Sequence, residues 1–194
     1  TSIGSYAFYN CTSLTEVNIP ASVTSIGKNA YRECSNVTKL TIEDGTTVLK
    51  LEYDGKGQFT DMLKLKQLYI GRNLSYELYY VSYSPFNSMS STENTSLEVT
   101  VGSKVTALNK NIFYGNKLLS KVTFEGNSSL TTIETQAFYN CSNLKEIVLP
   151  ETVTSIKTDA FYNCKSLTNV KLPSSVTSIG ENAFYNCRSL SSID

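Results

Sequence analysis

The sequence predicts a right-handed α/β solenoid of about eight turns, each carrying one short parallel strand. Two observations support this prediction: a near-identical phrase returns along the chain, and cysteines recur at an interval of 23 residues, from Cys11 to Cys34 and again through Cys141, Cys164 and Cys187. A fixed interval indicates that one supersecondary unit has been copied, so that each copy stacks on its neighbours. The phrase reads AFYNCTSL at Ala7–Leu14, AFYNCSNL at Ala137–Leu144, AFYNCKSL at Ala160–Leu167 and AFYNCRSL at Ala183–Leu190.

One aromatic position recurs in every copy, including the copies in which the exact phrase is lost. Its spacing varies between 23 and 28 residues, which leaves room for insertions within a turn. The number of these aromatics gives the number of turns. They are Phe8, Tyr31, Phe59, Phe86, Phe113, Phe138, Phe161 and Phe184.

A short strand is expected after each aromatic. Segments such as LTEVNIP, LKQLYIG and LKEIVLP have the spacing L-x-x-V/I/L-x-I/L, which ends in strict alternation. Alternation of this kind is typical of a strand with one buried face. The residues expected to lie beneath a parallel sheet are Val17, Ile19, Leu68, Ile70, Val99, Val101, Val122, Phe124, Ile147, Leu149, Val170 and Leu172.

A short helix is expected to complete each unit. The regular copies continue as P-x-S/T-V-T-S-I, in which the proline ends the strand, and then as G/K-x-x-A-F-Y-N-C. We predict one or two helical turns for this last segment. Because isolated helices shorter than about 12 residues are marginal in water, each unit needs its neighbours for stability.

These motifs together resemble the BspA-type leucine-rich repeat, a class of roughly 23-residue repeats found in many bacterial surface proteins. The resemblance extends over essentially the whole chain and is weakest between about Glu43 and Glu98. Insertions occur there, and Met62 and Met89 take the cysteine position. The resemblance implies a cell-surface or secreted, adhesin-like protein that binds other macromolecules and has no catalytic residues to carry over.

Composition sets further bounds. We expect residues 1–194 to form a single monomeric solenoid domain, part of a longer protein because the sequence starts and stops within a repeat. Seventeen basic and seventeen acidic residues cancel without a basic block, so nucleic acid and anionic membrane are not expected partners. No apolar run is long enough to span a bilayer. The expected partner is an extracellular protein or a glycan.

The five cysteines favour packing over chemistry. An odd number at a constant interval does not suit a disulfide framework, and a zinc site would want paired cysteines or histidine, of which the chain has none. We therefore expect a line of reduced, buried thiols, with no metal and no cofactor.

The Tyr–Asn pair that follows the phenylalanine is also assigned to packing. We expect each tyrosine ring to lie over the neighbouring unit, and each asparagine to adopt a left-handed conformation or to bond free carbonyls. The alternative is a row of aromatics that binds a ligand. The pair is seen at Tyr9–Asn10, Tyr139–Asn140, Tyr162–Asn163 and Tyr185–Asn186.

Candidate binding residues come from two regions. The irregular stretch LSYELYYVSYSPF concentrates tyrosines, which are enriched in binding surfaces, although the same rings could simply cover apolar surface. The outward positions of the strands form a polar lattice of mixed charge, which is the alternative contact surface. The tyrosines near the stretch are Tyr69, Tyr76, Tyr79, Tyr80 and Tyr83, and the lattice candidates besides Tyr69 are Lys39 and Lys121.

Catalysis and a structural role are the two function classes that compete with binding. Catalysis is not expected, because histidine is absent and no nucleophile or phosphate-binding motif occurs. Glu43 with Asp44, or Asp54 with Asp61, would be the carboxylate pairs of a carbohydrate-active enzyme. A structural spacer that presents another domain is the stronger alternative to binding.

Overall fold

A computed structural model describes residues 1–53, 57–59, 61–77, 83–86 and 96–193. Within these residues the chain is a solenoid of eight turns, built from parallel strands joined by tight turns. Each turn contributes one strand to a main sheet and one shorter strand to a side sheet. The predicted number of turns and the parallel pairing are confirmed.

The main sheet falls into two blocks. The first has five strands and the second has three, all parallel to their neighbours. Its strands are β2 (Glu16–Ile19), β4 (Lys39–Ile42), β6 (Gln67–Ile70), β8 (Leu97–Val101) and β10 (Leu119–Phe124), followed by β12 (Glu146–Val148), β14 (Asn169–Lys171) and β16 (Ser192–Ile193).

The side sheet also has two blocks, each of four parallel strands. Its members are mostly two residues long. They are β1 (Ser2–Ile3), β3 (Ser25–Ile26), β5 (Leu49–Leu51) and β7 (Leu74–Ser75), then β9 (Ala107–Leu108), β11 (Thr132–Ile133), β13 (Ser155–Ile156) and β15 (Ser178–Ile179).

The predictions of an α/β fold and of one strand per turn are wrong. No helix occurs among the described residues, and the A-F-Y-N-C segments are turns. In Gln136–Cys141, every second N–H group donates to a carbonyl of the next turn, as Phe138 N does to Ala160 O. The remaining N–H groups donate to earlier carbonyls of their own turn and so form tight turns. Left-handed residues at Gln136 (φ 58°) and Asn140 (φ 58°) make this alternation possible and interrupt helical geometry.

The core is organised by one continuous stack of rings. All eight recurrent aromatics stack on their neighbours along the solenoid, with centroids 4.9 to 6.0 Å apart. Offset or near-parallel ring contacts at this distance are favourable beyond the area that they bury. The stack therefore fixes the spacing of the turns.

The predicted strand core is largely confirmed. Ten of the twelve aliphatic and aromatic positions expected beneath the main sheet are buried. Phe124 and Leu172 are only partly buried and pack against the core from its edge. Leu172 lies in the second block, and Phe124 lies where the two blocks of the main sheet separate.

That separation falls between β10 and β12, which are adjacent but unpaired. β10 carries a bulge against β8, since Leu119 pairs with Leu97 while Lys121 pairs with Glu98. A bulge bends a strand and increases its twist. The bulge therefore lies in the strand that borders the separation.

Candidate binding face of the main sheet

The main sheet presents two rows of outward side chains, which its register places side by side. The first row is Glu16, Lys39, Gln67, Glu98 and Lys121. The second row is Asn18, Thr41, Tyr69, Thr100 and Thr123. Neighbouring members of a row are about 4.8 Å apart, because they lie on adjacent strands.

The first row is free of internal partners. All five of its residues are exposed, and within the described part of the chain none of their side chains makes a hydrogen bond or an ion pair. Glu98 and Lys121 are register partners, yet they form no salt bridge. This row offers charged and polar groups to solvent or to a ligand.

The second row is held by hydrogen bonds. The Tyr69 hydroxyl lies 2.9 Å from Asp44 Oδ1 and 3.0 Å from Glu125 Oε1, and it can donate to one of them at a time. Thr100 and Thr123 share a bond of 3.2 Å. Burial, and then the two carboxylates, raise the pKa of Tyr69 well above its ordinary value, so the phenol stays protonated at neutral pH.

Gly102 makes this arrangement around Tyr69 possible. A Cβ at this position would lie 2.6 Å from the Tyr69 hydroxyl and 2.8 Å from Asp44 Oδ1. Such distances are too short for carbon and oxygen, so a side chain here would displace the phenol. The orientation of Tyr69 therefore depends on the glycine that directly follows the neighbouring strand β8.

Two depressions indent this face. The smaller, of about 270 Å³, is lined by Lys39, Gln67, Tyr69, Glu98 and Thr100, among others. The larger, of about 550 Å³, lies where the main sheet separates and includes Lys121 in its lining. The sequence candidates Lys39, Tyr69 and Lys121 are thus brought together on one face.

Tyr76 and Tyr83, two of the other candidate tyrosines, do not share that face. The Tyr76 hydroxyl donates to Lys110 O at 2.9 Å, and burial raises the pKa of Tyr76 well above its ordinary value. Tyr83 is 6% exposed and packs edge-on against Tyr53 with centroids 4.5 Å apart. Tyr79 and Tyr80 lie outside the described residues.

The cysteines form the expected column of free thiols. Cys34, Cys141 and Cys164 are buried, whereas Cys11 and Cys187 at the two ends are partly buried. The Cys141 thiol donates to Phe113 O at 3.1 Å, and Cys164 donates to Phe138 O at 3.2 Å. Burial raises the pKa of both thiols well above the ordinary range, which keeps them protonated and unreactive.

Asn116 occupies the cysteine position of its turn, which the sequence reasoning missed. It is 4% exposed, and its Nδ2 donates to Phe86 O at 3.1 Å, in the same manner as the thiols. Its Oδ1 accepts from the N–H groups of Leu118 and Leu119 at 3.0 and 3.1 Å. The position three residues after each recurrent aromatic, where most turns have cysteine, identifies Asn116 in the sequence.

The tyrosines and asparagines of the repeated phrase form two ladders. Four tyrosine rings stack at 4.7 to 4.8 Å, which confirms the packing interpretation for them; they are Tyr114, Tyr139, Tyr162 and Tyr185. The asparagines adopt positive φ, as predicted, and their amides bond along the solenoid, as Asn163 Nδ2 does to Asn140 Oδ1 at 2.8 Å.

A buried arginine ties two turns together and was also missed. Arg72 is fully buried, and its guanidinium donates to Pro20 O and Ala21 O at 2.8 Å each. The nearby Glu43 accepts from Asn18 Nδ2 at 2.6 Å and from Ala21 N at 3.0 Å. These bonds lower the pKa of Glu43, and they fix the chain at the end of the first strands.

Three of the four carboxylates considered for catalysis make structural contacts. Glu43 and Asp44 are engaged as described above, and Asp61 lies 3.6 Å from the Arg32 guanidinium. Asp54 lies outside the described residues. Across the described part of the chain, no group of three potential metal ligands occurs, and nothing helical is long and apolar enough to cross a membrane.

Comparison with protein families agrees with this architecture. The model of the BspA type leucine-rich repeat region, which holds 6 copies, matches residues 1–129 and again residues 55–191. The chain belongs to this family. The resemblance inferred from the repeated phrase is therefore confirmed. No curated protein gives a significant match.

Solved bacterial leucine-rich repeat proteins are similar to this family member. A Bacteroides ovatus protein is 19% identical with a TM-score of 0.46, over 100% of this chain and 82% of its own. A leucine-rich cell surface protein of Faecalibacterium prausnitzii is 24% identical (TM-score 0.46; 100% and 64%). The pneumococcal vaccine antigen PcpA is 21% identical (TM-score 0.49; 99% and 53%), so the chain spans about half of it.

Proposed function

We propose that this chain is a non-catalytic binding module of a cell-surface or secreted protein, and that it contacts an extracellular protein or glycan through the main sheet. The observation that carries the proposal is the first row, Glu16, Lys39, Gln67, Glu98 and Lys121. Its polar heads are exposed and have no partner among the residues that the structure describes. Groups of both signs in a fixed lattice favour selective recognition over general adhesion to a charged surface.

The second row supports this assignment by keeping the face rigid. Tyr69 is fixed between Asp44 and Glu125, and Thr100 is fixed to Thr123. A preorganised surface loses little conformational entropy when a partner binds. Tyr69 is also the large aromatic of this face, and tyrosine is among the residues that contribute most to binding energy.

The small depression places these features together. Lys39 and Glu98 carry opposite charges, and both line it together with the Tyr69 ring and the amide of Gln67. An aromatic ring flanked by hydrogen-bonding heads suits either a peptide side chain or a sugar ring. We therefore place the centre of the contact at Lys39, Tyr69 and Glu98, with Lys121 at its edge.

The test is a binding screen against purified extracellular-matrix proteins and an array of glycans. Replacing Lys39, Gln67 and Glu98 together by Ser should weaken binding of any captured ligand by about tenfold or more, since several central contacts are lost. The matched control replaces Lys157, Thr158 and Glu181 by Ser, because these exposed residues lie away from the main sheet.

The two triple variants decide the proposal together. We expect the control to bind as the unmodified chain does, and both variants to keep its circular dichroism spectrum. Equal loss of binding in both would contradict an assignment to the main sheet. Absence of any ligand across both panels would contradict the binding function itself.

A further inference from the structure

We infer that the cavity at the separation of β10 and β12 is a docking site for an extended peptide of a protein partner, with a bulky apolar side chain next to a lysine or arginine. This inference rests on the proposed binding function and deepens it, because it assigns the partner's class and the contact that selects it. The cavity has a volume of about 550 Å³, which is within the range of sites that hold ligands.

The cavity is open because the sheet is not closed there. β10 pairs with β8 on one side and β12 pairs with β14 on the other, and no backbone bond joins β10 to β12. Their facing edges therefore keep free backbone donors and acceptors, which need water or a ligand as partner. Cα atoms of the two strands lie within 8 Å, less than the roughly 9.5 Å that an inserted strand would require.

The walls of the cavity contain two apolar residues that break the pattern of the repeat. Phe124 is half-buried, whereas its equivalents Ile19, Ile42 and Val101 are fully buried. Val148 is 61% exposed, in a column whose other members on the paired strands are polar. Both irregularities face one opening. An apolar side chain of a partner would cover them and take the place of the missing contact between the strands.

The charges around the opening define what should flank that side chain. Three glutamates and one lysine line it, namely Glu125, Glu146, Glu151 and Lys121. Glu146 and Glu151 are exposed and have no partner in the described part of the chain, whereas Glu125 already accepts from Ser103 N and the Tyr69 hydroxyl. The surplus of negative charge favours a basic residue beside the apolar anchor.

This site is favoured over a sugar site by its chemistry. The exposed apolar lining is valine, proline and the edge of one phenylalanine, without an accessible tyrosine on which a sugar ring could stack. The apolar lining beside a surplus of carboxylates, in contrast, matches a peptide with an apolar side chain next to a basic one. The peptide would lie across the solvent side of the opening and insert its apolar side chain into the cavity.

The experiment uses the ¹⁵N-labelled full chain and the synthetic peptide acetyl-Gly-Ser-Leu-Lys-Ser-Gly-amide, followed by amide chemical shifts. We expect shifts confined to residues 121–128 and 146–152. A peptide with Ala in place of Leu should bind about tenfold more weakly, and one with Glu in place of Lys about two- to fivefold more weakly.

Two variants with the same substitution separate the cavity from the rest of the surface. Val148→Lys introduces the residue type that its register partner Lys171 has in the next turn, and it should abolish the shifts. Val48→Lys, at an exposed valine just before β5 in the side sheet, is the matched control, and it should change affinity by less than about twofold, since exposed substitutions away from a contact have small effects. Both side chains reach solvent, so both variants should fold.

Three outcomes would overturn the inference. They are the absence of shifts with the Leu–Lys peptide, full binding by Val148→Lys, and shifts caused by chitotetraose but not by the peptide. One outcome separates the two proposals: the triple Ser variant loses a matrix ligand, Val148→Lys keeps it, and the peptide does not bind. The proposed function then stands and this inference fails. Peptide binding with no ligand in either panel would instead contradict the proposed function.

Discussion

Replacing Asn116 by Ala should destabilise the solenoid more than replacing any thiol of the same column. Asn116 satisfies three buried backbone groups, namely Phe86 O and the N–H groups of Leu118 and Leu119. Each group left unpaired costs about 1–3 kcal/mol. We expect a loss of about 3–5 kcal/mol in the free energy of unfolding, towards the lower end of that sum because water can relieve part of it.

Cys141→Ala is the matched control for Asn116→Ala. It removes one weak thiol bond to Phe113 O and a sulfur atom from the core, for a cost of about 1–2 kcal/mol. Urea unfolding followed by far-ultraviolet circular dichroism gives the comparison, and hydrogen exchange at the amides of Leu118 and Leu119 gives the local readout. The reasoning is refuted if Asn116→Ala costs no more than Cys141→Ala, or if those two amides remain equally protected.

Three further predictions concern the core. The thiols of Cys141 and Cys164 should not react with a disulfide reagent at pH 8 until the chain unfolds, because burial raises their pKa; labelling in the native state followed by mass spectrometry checks this. Burial raises the pKa of Tyr31 to about 12 from an unfolded value of 10.0. The contribution of the neutral Tyr31 to the free energy of unfolding is therefore complete below pH 10, and about 2–3 kcal/mol of it is lost as the pH rises towards 12. Tyr31→Phe should remove this part of the loss of stability at alkaline pH, which urea titrations measure. Tyr83→Ser should lower the melting temperature, since Tyr83 is buried against Tyr53 and bonds Gln58; unchanged melting would show that the ring is not needed for packing.

The repeating part of the fold could be predicted because burial follows the spacing of apolar residues. One aromatic per copy gave the number of turns, and alternation gave the buried faces of the strands. Both signals depend on a few residues at a time, so insertions change the spacing between copies but leave the aromatic and the alternation recognisable. The central turns, between about Glu43 and Glu98, were located for this reason despite their irregular sequence.

The helix was predicted wrongly because A-F-Y-N-C contains the same local turns that begin a helix. What prevents a helix is bonding to the next turn, as from Phe138 N to Ala160 O, which no single copy reveals. The sequence did carry a signal, since residues that tolerate positive φ recur five positions and one position before the cysteine. Asp159 and Asn163 are one such pair, and Asn182 and Asn186 are the next.

The candidate site was only partly within reach of the sequence. Outward strand positions follow from alternation, which placed Lys39, Tyr69 and Lys121 on one face. The separation lies beside β10, which carries a bulge at Ser120, and the buried Arg72 bonds carbonyls two turns away. Such features depend on how one turn meets another, and the letters of either turn do not specify them.

The ring stack also bears on how such a chain can change length. Because each turn adds one ring to a uniform column, duplication of a whole unit adds a layer without disturbing the layers on either side. Duplication of part of a unit would leave a ring unmatched and would shift every strand beyond it. The reach of the first row is therefore set by copy number, in steps of about 4.8 Å. Unequal recombination between near-identical repeats could lengthen or shorten the surface offered to a partner while leaving the chemistry of each step unchanged.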